Sequence, residues 1–211
     1  MRRATGHGAR TPGSSPAFVR WLGEAGYGPA DGRVGALDLL VRSGLPAPEG
    51  FVLTAEGHRE FLRTLSRNRG LGERLEREVR AALLELGART VVVNWSCESR
   101  RGLGTIPAVV AAVREAWTPA PADGAFPTRP VLVQRQAQPV YTGWTTTADL
   151  GGARPVPDAP LHDLEPAPGL GEEGLGCLTG RAAAALGGVV RLRWGLEDGR
   201  WLLVAVEEAP G

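Results

Sequence analysis

The stretch 188-GVVRLRWGLEDGRWLLVAVEE-208 constrains the fold of this chain more than any other. Apolar and polar residues alternate before 197-EDG-199 and an apolar run, 201–206, follows it, which reads as a β-hairpin with one buried face. A two-residue Asp198-Gly199 turn would pair Arg193 with Val204 and Arg191 with Val206. A three-residue Glu197-Asp198-Gly199 loop would pair Arg193 with Leu203 and Arg191 with Ala205. Only the second register puts Val190, Leu192, Trp194, Leu202, Val204 and Val206 on one face, so it is the expected one. The opposite face then carries Arg191, Arg193, Ala205 and Glu207.

Upstream, 33-RVGALDLLVRSG-44 has Val34, Leu37, Leu40 and Val41 at helical spacing, with Gly44 and Pro46 as stop signals. A short strand, 51-FVLT-54, follows, and Thr54 is placed to cap a helix with Phe61, Leu62 and Leu65 inward. The segment 72-GERLEREVRAALLELG-87 predicts a helix with Leu75, Val79, Leu83 and Leu86 on one side and a solvated charged face on the other. The β-branched run 90-TVVVNW-95 predicts an interior strand, and 106-IPAVVAAVREAW-117 a helix with Pro107 in its first turn. After the linker 118–130, a strand over 131–146 breaks near Pro139. Residues 149–175, rich in Gly and Pro, predict a long surface loop, and a helix over about 176–186 leads into the hairpin. The expected fold class is α+β: a mobile tail over 1–16, an N-terminal mixed lobe over 17–125 and a C-terminal antiparallel-sheet lobe over 126–211, in one compact unit.

Composition narrows the function classes. A net charge of +1 gives no bulk electrostatic case for nucleic acid or membrane partners. No apolar run reaches the roughly 18–20 residues of a membrane span. The N-terminus has arginines without the apolar run of a secretory signal, so the expected location is the cytoplasm. Cys97 and Cys177 have no metal or disulfide spacing and read as buried free thiols. All 24 basic residues are arginine, so chemistry that requires a lysine is excluded.

Several stretches together resemble the N-terminal ATP-binding domain of the phosphoenolpyruvate synthase and pyruvate phosphate dikinase family, an ATP-grasp domain. The segment 31-DGRVGALDLLVRSGLPAPEGFVLTAEGHREFL-62 is similar to that family's GGK-G-A-N-L helix followed by G-L-P-V-P-P-G-F-V-V-T. The strands 91-VVVNWS-96 and 131-VLVQRQ-136 resemble its V-A-V-R-S-S and V-x-V-Q-x-M, and 142-TGWTTTADLGG-152 resembles its S-G-V-x-F-T-x-D-P-x-x-G. The tail 190-VRLRWGLEDGRWLLVAVEEAP-210 is similar to its D-I-E-W-A-x-D-D-G-x-L-x-x-L-Q-x-R-P. The resemblance places the family's phosphate-contacting lysine at Arg33 and the arginine of R-S-S at Asn94, with Ser96 retained. It places the metal-binding acids of D-x-E at Arg191 and Arg193, and the Q-x-R pair at Ala205 and Glu207, while Gln134 and Gly143 are kept.

Those replacements oppose the family's reaction. Mg²⁺ takes oxygen ligands, whereas arginine offers only donors and stays charged. A guanidinium about 5 Å from a divalent ion is repelled by about 6–7 kcal/mol at an effective dielectric near 20. No catalytic residue, metal site or cofactor is therefore expected. Arg33, Asn94, Ser96, Gln134, Arg191, Arg193, Ala205 and Glu207 form the candidate nucleotide- or anion-binding set. Glu207 is expected to pair with Arg191. The expected role is a non-catalytic binding or regulatory subunit acting in trans on a protein partner. Two alternatives stand beside it: an ATP-binding, Mg²⁺-dependent kinase domain, and a metal-independent sensor of an anion or nucleotide. His7, His58 and His162 are scattered, with His58 expected at the solvent edge. Ser96 has no evident base, and the glycine-rich 169–176 stretch reads as a flexible loop. Trp21, Trp117 and Trp144 read as core or lobe-interface anchors.

Overall fold

A computed structural model describes residues 18–65, 70–95, 98–118, 130–148, 156–157 and 172–208. The elements in chain order are β1 (Val19–Trp21), α1 (Gly32–Arg42), β2 (Gly50–Leu53), α2 (Ala55–Leu65), α3 (Glu73–Leu86), β3 (Val91–Trp95), β4 (Glu98–Leu103), α4 (Ile106–Trp117) and β5 (Val131–Arg135). They continue with β6 (Tyr141–Thr146), β7 (Val156–Pro157), α5 (Glu172–Leu186), β8 (Val190–Glu197) and β9 (Arg200–Glu208). One sheet has the order β1-β2-β5-β3-β4 and the other β7-β6-β8-β9, with every pairing antiparallel. The fold class is α+β, as the sequence predicts.

Strand alternation gives the five-stranded sheet two different faces. Phe51, Leu53, Val91, Val93, Trp95, Val131 and Val133 point to a core shared with α2, α3 and α4. Val52 and Leu132 point the other way, into a second core. There they meet Val34, Leu37 and Leu40 of α1, Leu175 and Ala182 of α5, and Leu192, Trp194, Leu203 and Val206 of the four-stranded sheet. Helix α1 thus lies against both sheets. Within the second core, the Trp194 indole N–H donates to Thr145 Oγ1 at 2.9 Å, and Thr145 and Thr179 share a hydrogen bond at 3.1 Å. The one polar atom of the buried indole is thereby satisfied.

Several expectations hold in detail. Thr54 Oγ1 accepts from the Gly57 N–H at the start of α2, and Thr105 caps α4 with Pro107 in the first turn. Others need correction. The segment over 131–146 is two strands in different sheets: β5 pairs with β2 and β3, and the chain crosses over residues 136–140 to β6. β5 therefore sits in the N-terminal sheet rather than with the C-terminal strands. β1, β4 and β7 were not anticipated; β4 reads ESRRGL and is exposed along nearly its whole length, so it has no apolar alternation to signal it. α5 begins four residues earlier than expected and takes in Gly174 and Gly176, the end of the glycine-rich stretch. The tail over 1–16, the linker over 119–129 and most of 149–171 lie outside the described residues. His58 is 4% exposed and stacks on Trp117 at 5.3 Å, so it is a core residue, not a solvent-edge one. Cys177 is exposed rather than buried, and Cys97 lies outside the described residues.

The hairpin register differs from both candidates. Asp198 (φ 49°) and Gly199 (φ 72°) both adopt the left-handed conformation, giving a two-residue turn that pairs Glu197 with Arg200. The register then shifts between Arg193 and Trp194, so that Trp194 opposes Leu203, Arg193 opposes Ala205 and Arg191 opposes Glu207. The bulge leaves Val204 without an opposite residue and inverts the parity of β9. Val206 is buried as expected, but Leu203 is buried in place of Leu202 and Val204, which are only half-buried. Arg191, Arg193, Ala205 and Glu207 nevertheless share one face, because the bulge supplies the offset that the longer loop would have supplied.

A single buried carboxylate fixes the approach to α1. Asp38 is 0% exposed, and its oxygens accept from the backbone N–H groups of Gly23 (2.6 Å), Ala25 (3.4 Å) and Tyr27 (3.0 Å). Arg42, one turn on, lies 3.8 Å from the same carboxylate. The loop then passes so close to α1 that a Cβ at Gly35 would sit 2.1 Å from the Gly28 carbonyl oxygen. Asp38→Ala would strand several amides at once and is expected to cost about 3 kcal/mol. Urea unfolding should show this as a lower midpoint with an unchanged slope.

Candidate functional site

Between the two sheets lies a cleft of about 190 Å³. Alternation along β3 and β5 turns Val92, Asn94, Leu132 and Gln134 toward it, and β4 adds Glu98, Ser99 and Arg101. The first turn of α1 contributes Arg33, and the hairpin contributes Arg193, Ala205, Val206 and Glu207. The crossover residues Gln136, Ala137 and Pro139 also line it.

Six of the eight candidate positions converge here: Arg33, Asn94, Gln134, Arg193, Ala205 and Glu207. Arg191 is not part of the lining. Its guanidinium lies over the Trp144 ring at 4.3 Å, with Arg193 at 5.4 Å from the same ring. Trp144 is therefore a platform for two cations rather than a core anchor, whereas Trp117 is buried in the core. Ser96 lies outside the described residues. The expected pairing of Glu207 with Arg191 is replaced by another: Glu207 Oε1 lies 3.6 Å from Arg33 Nη1, although Arg191 is its cross-strand neighbour. Both side chains are about one-third exposed (38% and 32%), so this pair is weak and easily exchanged for a ligand contact.

Gln134 is 2% exposed and held at both ends. Its Nε2 donates to the Pro48 carbonyl at 3.2 Å, and its Oε1 accepts from Asn94 Nδ2 at 3.4 Å. Beside the cleft, Arg135 and Glu197 form a two-pronged ion pair, Nη1 to Oε1 at 3.0 Å and Nη2 to Oε2 at 2.6 Å. Glu197 Oε1 also accepts from the Gln138 N–H at 2.7 Å. This pair joins the end of β5 in one sheet to the end of β8 in the other, across the crossover. The Arg135 hydrogen bond holds the Glu197 carboxyl below its ordinary pKa, and the Glu197 hydrogen bond raises that of Arg135. Sequence reasoning did not find this pair, because nothing local in either strand marks the two residues as neighbours.

Among the described residues, the donor set of the cleft does not fit a metal ion. On the β8–β9 wall the only carboxylate lining the cleft is Glu207, which faces Arg33. Among the described residues no group of three or more His, Cys, Asp or Glu side chains could hold a metal. Nor, among them, is any helix long and apolar enough to cross a membrane.

The two sheets, with the cleft between them, place the chain among known folds. Over 83% of its length it superposes on 52% of the D-alanine–D-alanine ligase of Bacillus anthracis complexed with ATP, with a TM-score of 0.55 and 14% identity. The D-alanine–D-alanine ligase of Coxiella burnetii gives 0.54 at 14% identity, covering 83% of this chain and 47% of that one. The chain has an ATP-grasp fold. Carboxyaminoimidazole ribonucleotide synthase of Aspergillus clavatus, complexed with ATP, matches this ATP-grasp chain with a TM-score of 0.52 at 17% identity, covering 84% of it and 44% of the synthase. The chain thus spans about half the length of these proteins. No protein-family model and no curated protein matches it.

The Arg135–Glu197 clamp yields a pH prediction. A carboxyl whose folded pKa is depressed contributes stability above its unfolded pKa, and that contribution disappears as pH falls through the folded value. Glu197→Gln is expected to cost about 1–2 kcal/mol at pH 7. The difference from the parent protein should shrink as pH falls below the ordinary carboxylate range. Urea titrations at pH 7 and in steps down toward pH 3 measure both.

Proposed function

We propose that this chain is a non-catalytic ATP-grasp module that binds a small anion in its cleft without a metal ion. One observation carries the reading: Arg33 and Arg193 line one cleft where the family resemblance would require a lysine and a metal-binding acid. Four arginines line the cleft against two glutamates, and Arg135 is matched by the Glu197 carboxylate outside the lining. Arginine suits such a site because its fork of N–H donors matches an oxyanion and keeps its charge at all working pH values. The volume of about 190 Å³ lies below the roughly 300–1,000 Å³ of a pocket for a drug-sized ligand, which favours a small oxyanion over a whole nucleotide. The finer assignment to the phosphoenolpyruvate synthase and pyruvate phosphate dikinase family rests on the sequence motifs. Under it, the module works in the cytoplasm beside a protein partner that supplies the missing functions.

The competing reading is an ATP-dependent kinase or ligase domain, and it draws on the likeness in fold to proteins complexed with ATP. Mg²⁺ separates the two. Thermal shift and calorimetry with inorganic phosphate, pyrophosphate, ADP and ATP, each in EDTA and in Mg²⁺, should show binding that is the same with and without the metal. Arg33→Ala and Arg193→Ala should each weaken it by about ten-fold or more. Release of phosphate from ATP should stay at the uncatalysed level. Micromolar Mg²⁺-dependent ATP binding, with turnover that vanishes on Arg33→Ala, would overturn the proposal.

A further inference from the structure

A backbone carbonyl dictates the orientation of one amide in the cleft. The Pro48 carbonyl can only accept a hydrogen bond, so Gln134 turns its Nε2 toward it, at 3.2 Å. Gln134 Oε1 is left facing Asn94, which can satisfy it only through Nδ2, at 3.4 Å. Gln134 is 2% exposed, and reversing its amide would set two acceptors against each other at Pro48. The chain of bonds therefore runs in one direction, and Asn94 Oδ1 is directed away from Gln134. Asn94 lines the cleft, and its Oδ1 accepts no hydrogen bond from the described residues. The cleft thus presents donors at Arg33 and Arg193 and a fixed acceptor at Asn94.

A bare oxyanion has acceptors alone. It matches the two arginines but would desolvate Asn94 Oδ1 without replacing its water. We infer that the ligand is a small organic anion with a hydrogen-bond donor, a hydroxyl or amino group, beside its oxyanion, and that Asn94 Oδ1 receives that donor. Gln134 is the positioning residue, acting only through Asn94. The inference rests on the anion-binding reading of the cleft and narrows its ligand class.

Matched probes test it on the whole chain. Glycerol 3-phosphate and propyl phosphate share a phosphate and a three-carbon chain but differ in hydroxyl groups; 2-aminoethyl phosphate and ethyl phosphate make the same comparison for an amino group. Calorimetry should find the donor-bearing member of at least one pair about five-fold tighter, the worth of one neutral hydrogen bond. The pair that discriminates identifies the group. Asn94→Leu should bring the two affinities together, and Gln134→Met should lower the ratio by freeing Asn94 to rotate. Equal affinities within both pairs in the parent protein, or a ratio unchanged by Asn94→Leu, would overturn the inference and leave the anion site standing. Failure of every probe and of inorganic phosphate to bind would remove both.

Discussion

Helix α1 buries Val34, Leu37 and Leu40 against Val52 and Leu132 of one sheet and against Leu192, Trp194, Leu203 and Val206 of the other. Each such side chain contributes about 1.5–3 kcal/mol when fully buried. The covalent chain passes from one sheet to the other once, over residues 136–140. Apolar packing of α1 is therefore what converts two tethered sheets into a cleft of defined width. Asp38 lies in the middle of this helix and draws the preceding loop onto it, so the first turn, which carries Arg33, is placed by the same contact.

The chemistry of the cleft follows from what that packing brings together. Arg33 comes from α1, Arg193 from β8, Arg101 from β4, and the Asn94–Gln134 amide pair from β3 and β5. An acid at position 193 would attract a divalent ion, whereas Arg193 repels one and attracts anions. Arg33 faces Glu207, and Arg193 lies over the Trp144 ring beside Arg191. The Arg135–Glu197 clamp ties the two sheets together beside the crossover over residues 136–140. The ATP-grasp fold here carries a cleft lined, among the described residues, by four arginines and two glutamates.

The legibility of individual elements tracked the strength of their local signals. α1, α3 and α4 have apolar residues at helical spacing and clear stops, and their boundaries were found within a residue or two. β4 has the composition of a loop and becomes a strand only because the edge of β3 is available to it. His58 is polar enough to suggest solvent, but α2 lies against α4 and places its ring on Trp117. The hairpin was legible in its polar face, and not in its register or in which residues of β9 point inward. Counting alternation assumes an unbroken pleat, and the bulge at Val204 changes parity without leaving a local mark.

The sequence by itself determined which side chains could never serve as metal ligands or as a catalytic lysine, because residue chemistry does not depend on the fold. It also determined most helices and the polar face of the hairpin, because these follow from periodicity over a few neighbouring residues. Tertiary structure alone decided that Glu207 turns to Arg33 rather than to Arg191, that Arg135 meets Glu197, and that Pro48 sets the orientation of Asn94 through Gln134. Each of these contacts joins residues at least 40 positions apart, apart from the cross-strand neighbours Arg191 and Glu207. Such contacts exist only once burial of α1 has set the distance between the sheets, and no local pattern along the chain encodes that distance.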